Sequence, residues 1–315
     1  MSMSHVRSAR LGSLTLARSS ISARLASGCG SPGPGLAKHA DPYRAIDRQA
    51  DPAQFVDILE SRGRAPSQVR LRRRFLRFAG LRPGWEVLEV GSGTGVLCRD
   101  LARMVGARGH VIGVDPSRVF VAAARRLARE DGLGRRIDFR VGDGARLRLP
   151  ADRFDCALAV TVLLHVHDPA AIVAELVRVT RPGGVVGLQD QDLGTLVLDH
   201  PDRALTRRIV DGVARRNYVE PLSGRTLMRR LVEQGLTRVR LRTDVYQDTS
   251  YEPFTRGLIE RRARHAVEFG IVAARAAARW VAEVERSVAE GRFFLTLNFY
   301  GAVGVKPAPR GGSSP

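Results

Sequence analysis

Short apolar runs alternate with amphipathic stretches over residues 64 to 190. A short apolar run bounded by turn residues is typical of a buried strand, and apolar positions three and four apart are typical of a helix. The pattern predicts a helix over 64–78, a strand over 85–90, a helix over 96–105, a strand over 110–114, a helix over 117–129, strands over 137–141 and 154–160, a helix from residue 169 and a strand over 185–188. This alternation predicts a parallel sheet with helices on both faces.

Local residues set the bounds of the helix that begins at residue 169. Asp168 precedes Pro169, which favours a helix start because the carboxylate can cap free N–H groups. The Pro-Gly-Gly run at 182–184 is expected to end that helix and lead into the next strand.

The pattern changes after residue 190. Alternating apolar positions predict a strand over 237–246, and another extended apolar stretch covers 293–305. A mainly helical insertion lies between them at 253–290, and an earlier insertion covers about 191–222. Loops at the carboxyl edge of such a sheet carry specificity, so both insertions are predicted to form a lid over the substrate.

Residues 1–40 differ in composition from the rest of the chain. They hold four arginines, one lysine and no acidic residue, with a Ser-Pro-Gly-Pro-Gly run at 31–35. Such a segment buries little apolar surface, which predicts a disordered basic extension ahead of a domain over residues 41–310. The composition also matches a mitochondrial transit peptide. A cytoplasmic location is expected, with the mitochondrion as the alternative.

The net charge of +19 raises the question of a nucleic-acid partner. Lysine occurs only at Lys38 and Lys306, and the arginines are spread along the chain, which is typical of a GC-rich genome. No nucleic-acid partner is therefore expected. No apolar run approaches the roughly 20 residues of a membrane span. The three cysteines, Cys29, Cys98 and Cys156, lack the number and spacing of a disulfide framework or a metal site.

A glycine-rich motif follows the first predicted strand. Gly91, Gly93 and Gly95 stand where the strand gives way to a helix, and glycine there lets the backbone approach a ligand closely. A dinucleotide fingerprint would place its third glycine at Val96 instead. Glu89 precedes the loop, and an acid in that place suits a cationic ligand better than a pyrophosphate.

Two more acids follow at the ends of the next strands. Asp115 lies twenty residues beyond Gly95, where a carboxylate can accept both hydroxyls of a ribose. Asp143 ends the following strand, where it can accept a hydrogen bond from an exocyclic amine. An isolated aspartate at a strand end is more often a helix cap. Acids at three successive strand ends, however, line one ligand crevice.

The chain resembles the class I methyltransferases, closest to the ubiquinone/menaquinone-biosynthesis-like branch. The resemblance rests on VLEVGSGTG at 87–95, VIGVDPS at 111–117, VGDGARLRLP at 141–150, FDCALAVTVLLHVHDP at 154–169 and ELVRVTRPGGVVGL at 175–188. It implies an α/β, Rossmann-like sheet of seven strands, with helices on both faces and an antiparallel last strand between the fifth and sixth. It also implies S-adenosyl-L-methionine as the cofactor.

The resemblance assigns cofactor contacts residue by residue. The methionine moiety takes Glu89, Gly91, Ser92, Gly93 and Gly95; the ribose takes Asp115 beside Pro116; adenine takes Asp143 and Gly144; backbone at Val160 and Thr161 completes the amino-acid pocket. The first motif carries Glu89 and Ser92 where many relatives have Asp and Cys. Tyr43 and Asp47 are expected to fold over the cofactor.

Four residues are candidate general bases: His165, His167, Asp190 and Asp192. His165 is preferred because it follows the strand that should face the transferring methyl group, and imidazole suits a base at neutral pH. The alternative is that His165 packs beside the cofactor or caps the next helix. For Asp190 and Asp192 the alternative is a solvated loop acid.

The predicted function is methyl transfer to O, N or C of a small-molecule metabolite or natural product. The alternatives are an RNA or protein methyltransferase and a non-catalytic module that binds S-adenosyl-L-methionine. After the fourth strand there is no Asn/Asp-Pro-Pro-Tyr tetrapeptide and no Pro-Cys or Thr-Cys nucleophile. These absences count against nucleic-acid methylation.

Overall fold

The computed structural model describes residues 41–308, so the extension predicted for residues 1–40 lies outside the described residues. The strands are β1 (Glu86–Val90), β2 (His110–Asp115), β3 (Ile137–Val141), β4 (Phe154–Val160), β5 (Thr180–Gln191), β6 (Val197–Leu198), β7 (Thr237–Asp248) and β8 (Leu295–Val305). The helices are α1 (Ala53–Arg64), α2 (Pro66–Ala79), α3 (Val96–Val105), α4 (Arg118–Glu130), α5 (Pro169–Val179), α6 (Arg203–Asn217), α7 (Leu227–Glu233), α8 (Pro253–Glu268) and α9 (Ala274–Ala289).

The strands form one sheet in the order β3, β2, β1, β4, β5, β8, with β7 on the far edge of β8. Strands β1 to β5 are parallel, and β8 runs antiparallel to both β5 and β7. This confirms the predicted α/β sheet and the antiparallel last strand between the fifth and sixth. The predicted number of seven is wrong for the described residues, which form eight strands. The additional strand is β6, a two-residue piece of the first insertion that pairs with the start of β8.

Apolar side chains fill both faces of the sheet. Helices α2, α3 and α4 pack on one face, where Phe75, Leu101 and Val121 are buried. Helix α5 packs on the other face, where Leu176 is buried against β4 and β5. Its predicted start is confirmed, since Asp168 accepts a hydrogen bond from the N–H of Ala171. The sheet therefore holds the ends of β1 to β4 rigidly.

The two insertions form a further helical layer with its own apolar core. Helices α8 and α9 occupy the predicted helical stretch 253–290, and α6 lies in the first insertion. Trp280 of α9 is completely buried, and its indole N–H donates to Thr206 Oγ1 of α6 at 3.0 Å. Because this layer is packed and hydrogen bonded, it holds its inner residues at fixed positions beside the sheet. Within residues 41–308 no helix is long and apolar enough to span a bilayer.

The helix predicted over 64–78 is confirmed as α2. Helix α1 before it was not predicted, because most of its residues are exposed or half-buried and give no clear apolar face. Strand β5 begins at Thr180, before the Pro-Gly-Gly run that was expected to lead into it. Gly183 interrupts the extended backbone with a φ of 76°, and Gly183 and Gly184 exchange backbone hydrogen bonds with Lys306, just beyond β8.

Candidate active site

The carboxyl ends of β1 to β4 open into one cavity of about 460 Å³, a volume suited to a small organic ligand. All but one of the predicted cofactor residues line it: Glu89, Gly91, Ser92, Gly93, Asp115, Pro116, Asp143, Gly144, Val160 and Thr161. His165 and His167 line it too. The exception is Gly95, which caps α3 with a φ of 78°. A Cβ there would stand 2.6 Å from the Phe139 ring, so packing rather than ligand contact requires glycine.

The loops after β1 and β4 meet at the floor of this cavity. Gly91 has a φ of 71°, and a Cβ on it would lie 2.4 Å from Cγ2 of Val162. Thr161 has a φ of 58°, which is strained for a residue with a side chain. The N–H of Thr161 donates to the carbonyl of Gln189 at 2.7 Å, which holds this conformation. Because Gly91 has no side chain, the loop after β4 packs directly on the loop after β1, and the two loops form a closely packed floor.

Glu89 is buried beneath the cavity, and burial raises the pKa of its carboxyl group to about 8, with Asp115 adding to the effect. The Cys98 thiol donates a hydrogen bond to Glu89 Oε2 at 2.9 Å, which acts in the opposite direction. A carboxyl group that is costly to ionise in the ligand-free protein is stabilised as the anion by a nearby cation. This fits a ligand with an ammonium or sulfonium group.

The raised pKa of Glu89 predicts how stability depends on pH. Between about pH 4.5 and 8 the folded ligand-free protein keeps a proton on Glu89 that the unfolded chain has released. Stability therefore falls as pH rises through this window, by up to about 1.4 kcal/mol per pH unit from this group. Denaturant titrations of the parent and of Glu89→Gln should show a shallower pH dependence in the variant. Parallel curves would contradict the shift.

Asp115 connects the glycine loop to the start of α4. Its Oδ2 accepts from the N–H of Gly93 at 2.8 Å, and its Oδ1 accepts from the N–H of Ser117 at 2.9 Å. Asp143 is more exposed and accepts from the N–H of Ala145 at 2.9 Å. Both acids thus hold the N–H groups of loops and also line the cavity. Their contacts with a ligand stay a prediction.

Residues 41–48, which we call the strap, cross the mouth of the cavity as a kinked 3₁₀ segment. Tyr43 and Arg44 of the strap line the cavity. Asp47 fastens one end, because it accepts from Ser117 Oγ at 2.5 Å and from the N–H of Arg118 at 2.8 Å. Tyr43 thus lies on the wall of the cavity, whereas Asp47 lies outside it and anchors the strap; that these residues fold over the cofactor stays a prediction.

The other end of the strap meets His165. Asp41 Oδ2 lies 2.6 Å from Nδ1 of His165, and the Asp41 side chain is completely buried. Asp41 Oδ1 accepts from the N–H of Tyr43, which fixes the carboxylate. The rings of Tyr43 and Tyr218 lie 5.2 and 5.5 Å from the imidazole. With Nδ1–H donating to Asp41, Nε2 of His165 is left as the proton acceptor.

Asp41 is the functional residue that the sequence analysis missed. From the sequence, Asp41 was predicted only to be the first residue of the domain. The Asp-Pro-Tyr run at 41–43 is typical of a capped turn, and Asp41 does cap the strap. The residues next to Asp41 in the sequence do not indicate that its Oδ2 contacts Nδ1 of His165, which lies 124 residues later in the chain.

Asp190 and Asp192 are buried, which rules out the solvated-loop alternative. Asp190 Oδ2 accepts from Ser223 Oγ at 2.8 Å and from the N–H of Leu164 at 3.0 Å, and burial raises its pKa to about 6. Asp192 pairs with Arg225 at 2.5 Å. Asp190 therefore shapes the turn that carries His165 and does not line the cavity.

A family model described as a methyltransferase domain matches residues 87–184, which hold the glycine loop, Asp115, Asp143 and His165. This chain contains a class I S-adenosylmethionine-dependent methyltransferase domain. Residues of the matched range line most of the cavity at the ends of β1 to β4. The branch within the class stays a prediction.

Within residues 41–308, no group of three His, Cys, Asp or Glu side chains is placed to hold a metal ion.

Similar proteins extend the comparison beyond the domain. A 37.1 kDa protein of transposon TN4556 from Streptomyces fradiae is 35% identical over 226 residues, 70% of this chain and 62% of that protein. A nocamycin O-methyltransferase from Saccharothrix syringae is 38% identical over 116 residues, 37% of this chain and 41% of that enzyme. The match to the Streptomyces protein is longer than the methyltransferase domain, and the chain spans less than two thirds of either relative.

A solved structure shares most of the fold. The [4+2]-cyclase SpnF is 25% identical, with a TM-score of 0.50, and the match covers 78% of this chain and 85% of the cyclase. The match therefore includes much of the chain outside the methyltransferase domain itself.

Proposed function

We propose that the protein transfers a methyl group from S-adenosyl-L-methionine to a hydroxyl oxygen of a small molecule. The observation that carries this proposal is the contact of 2.6 Å between Asp41 Oδ2 and His165 Nδ1 on the wall of the cavity. A buried carboxylate that orients an imidazole makes a general base, and a hydroxyl acceptor needs such a base more than a neutral amine does.

The residues present fit the cofactor. Glu89, Asp115 and Asp143 supply acids along one crevice, and Ser92 Oγ is buried with no hydrogen-bond partner among the described residues. An unpaired buried hydroxyl favours a ligand with a polar group at that place. When bound, S-adenosyl-L-methionine supplies a methyl group already activated on a sulfonium.

The acceptor reacts by in-line displacement. Its hydroxyl proton would pass to Nε2 of His165, and the oxygen would take the methyl group that bound S-adenosyl-L-methionine supplies. Asp41 stabilises the resulting imidazolium, which later releases the proton to solvent. The products are a methyl ether, S-adenosylhomocysteine and one proton. Orientation within the cavity supplies much of the acceleration, up to about 7–11 kcal/mol in favourable systems.

The relatives support a small-molecule substrate, and one of them suggests a second candidate function. The nocamycin relative is named an O-methyltransferase, which agrees with a hydroxyl acceptor. The cyclase relative is named for a different reaction on a similar fold. A reaction that keeps the methyl group on the cofactor is therefore the second candidate. Methylation of RNA or protein is disfavoured because Tyr43 and Arg44 of the strap narrow the cavity.

Two measurements test the proposal. Calorimetry should show that S-adenosyl-L-methionine binds in the micromolar range, which corresponds to about −8 kcal/mol. Release of S-adenosylhomocysteine should then be followed with matched phenol, aniline and thiophenol acceptors, and the phenols should react fastest. Binding of the cofactor with no release for any acceptor would favour the second candidate. Binding of NAD without S-adenosyl-L-methionine would overturn the proposal.

A further inference from the structure

Helix α1 lies directly on the glycine loop and on the start of α3. A Cβ on Gly93 would stand 3.1 Å from Cδ1 of Leu59, and a Cβ on Gly63 would stand 2.8 Å from both Cγ atoms of Val96. Leu59 and Gly63 also line the cavity. Helix α1, which periodicity did not predict, therefore forms the wall of the cavity beside the glycine loop.

Glu60 is an acidic side chain of α1 that is buried in this contact. Its Oε1 accepts from Thr94 Oγ1 at 2.7 Å, and its Oε2 accepts from Nη2 of Arg99 at 2.7 Å. Nη1 of Arg99 donates in turn to the carbonyl of Thr94 at 2.8 Å. The three residues thus form a closed ring of hydrogen bonds that joins α1, the glycine loop and α3.

Thr94 stands between two glycines whose backbone is left-handed. Gly93 has a φ of 50° and Gly95 a φ of 78°. Glycine adopts such angles without strain, but it also leaves them easily, because no Cβ restricts its backbone. The hydroxyl and the carbonyl of Thr94 are both held by the ring. The ring therefore restrains the loop at the point where the glycines leave it most freedom.

The loop is held from two sides. Asp115, at the end of β2, accepts from the N–H of Gly93 at 2.8 Å, and Glu60 holds the next residue from the side of α1. Gly93 and Thr94 both line the cavity, so their positions set the shape that a ligand meets. Glu60 lies outside residues 87–184, which match the family model, so that match assigns it no role.

The ring is sensitive to the loss of the Glu60 carboxylate. Two buried charges repay the cost of leaving water only when both are present and hydrogen bonded. Arg99 has a second acid, because Asp131 lies 3.4 Å from its Nε, so it stays partly paired without Glu60. Thr94 is buried and loses the acceptor of its hydroxyl. The loss therefore falls mainly on the glycine loop.

We propose that Glu60 is a positioning residue for the cofactor, because it holds Thr94 and so keeps the glycine loop in the shape that receives S-adenosyl-L-methionine. Glu60 acts through the loop and does not itself contact the reacting atoms. The inference rests on the cofactor of the proposed function and is independent of His165 and of the acceptor.

Calorimetry with S-adenosylhomocysteine tests this on single variants. Glu60→Gln leaves one acceptor oxygen for two donors, and Thr94→Val keeps the shape of threonine without the hydroxyl. Each should weaken the dissociation constant about tenfold. Thr94→Ser keeps the hydroxyl and should restore binding. Glu130→Gln is the matched control, because Glu130 is an exposed acid beside Arg99 and Arg103 that does not contact the loop.

Two further measurements separate positioning from stability. If Glu60 and Thr94 act through one contact, the double variant should bind no more weakly than the weaker of the two single variants. Amide hydrogen exchange over residues 91–99 of ligand-free Glu60→Gln should be faster than in the parent, while exchange over β3 is unchanged. A general loss of stability would accelerate exchange in both segments.

Unchanged dissociation constants in both single variants would overturn the inference, and so would additive losses in the double variant. Equal acceleration of exchange in the loop and in β3 would assign Glu60 to stability alone. Thr94→Val removes no charge, so it tests the same contact if Glu60→Gln does not fold. Failure of the proposed function is seen separately, as a parent protein that binds no S-adenosylhomocysteine.

Discussion

Replacing His165 with glutamine is expected to lower the single-turnover rate by about 10²-fold or more, while affinity for S-adenosyl-L-methionine stays close to that of the parent. His165 follows β4 on the wall of the cavity, and glutamine keeps much of the volume between Tyr43 and Tyr218 without the basicity. The rate is measured at saturating cofactor with a phenolic acceptor. An unchanged rate would show that His165 is not a general base. The rate acceleration would then come from the orientation of the acceptor and the cofactor in the cavity.

Asp41→Asn tests the same mechanism from the other side. The amide of asparagine is neutral, so it no longer stabilises the imidazolium by charge. With its oxygen held by the N–H of Tyr43, its NH₂ group faces Nδ1 and favours the wrong tautomer of His165, so a loss of rate similar to that of His165→Gln is expected. A positioning role also shifts the pH dependence of the rate, which a loss of packing alone would not do. His110→Gln is the matched control, because His110 lies at the start of β2 and outside the cavity. A normal rate and pH profile in Asp41→Asn would contradict the pairing.

Asp115→Ala is expected to weaken cofactor binding by about 10- to 150-fold, which is the range for loss of a charge-assisted hydrogen bond of about 1.5–3 kcal/mol. The carboxylate also holds the N–H groups of Gly93 and Ser117, so its removal loosens the loop that receives the cofactor. Calorimetry with S-adenosylhomocysteine measures the loss. Asp138→Ala removes an exposed acid from β3 and should bind normally.

The two contributions of Asp115 can be separated by stability. Two N–H groups without a partner cost about 1–3 kcal/mol each if buried, so a loop defect lowers the stability of the ligand-free variant. A weaker affinity with unchanged stability would indicate direct contact with the ribose. An unchanged dissociation constant would leave Asp115 as a cap only.

Residues that follow parallel strands could be placed from the sequence, because the carboxyl ends of such strands share one edge of the sheet. Glu89, Asp115 and Asp143 line one cavity for that reason. Asp41, α1 and the burial of Asp190 could not be placed in this way. Each depends on contacts between distant segments, such as Ser223 on Asp190 and Thr94 on Glu60 of α1. Periodicity along the chain carries no information about such contacts.

The strap combines two roles in one short segment. It is fastened by Asp47 at the start of α4 and by Asp41 at His165, so the segment that borders the cavity also orients the imidazole. Under the proposed mechanism, a change that detaches Asp41 from His165 therefore removes the carboxylate from the base and loosens the wall of the cavity at the same place.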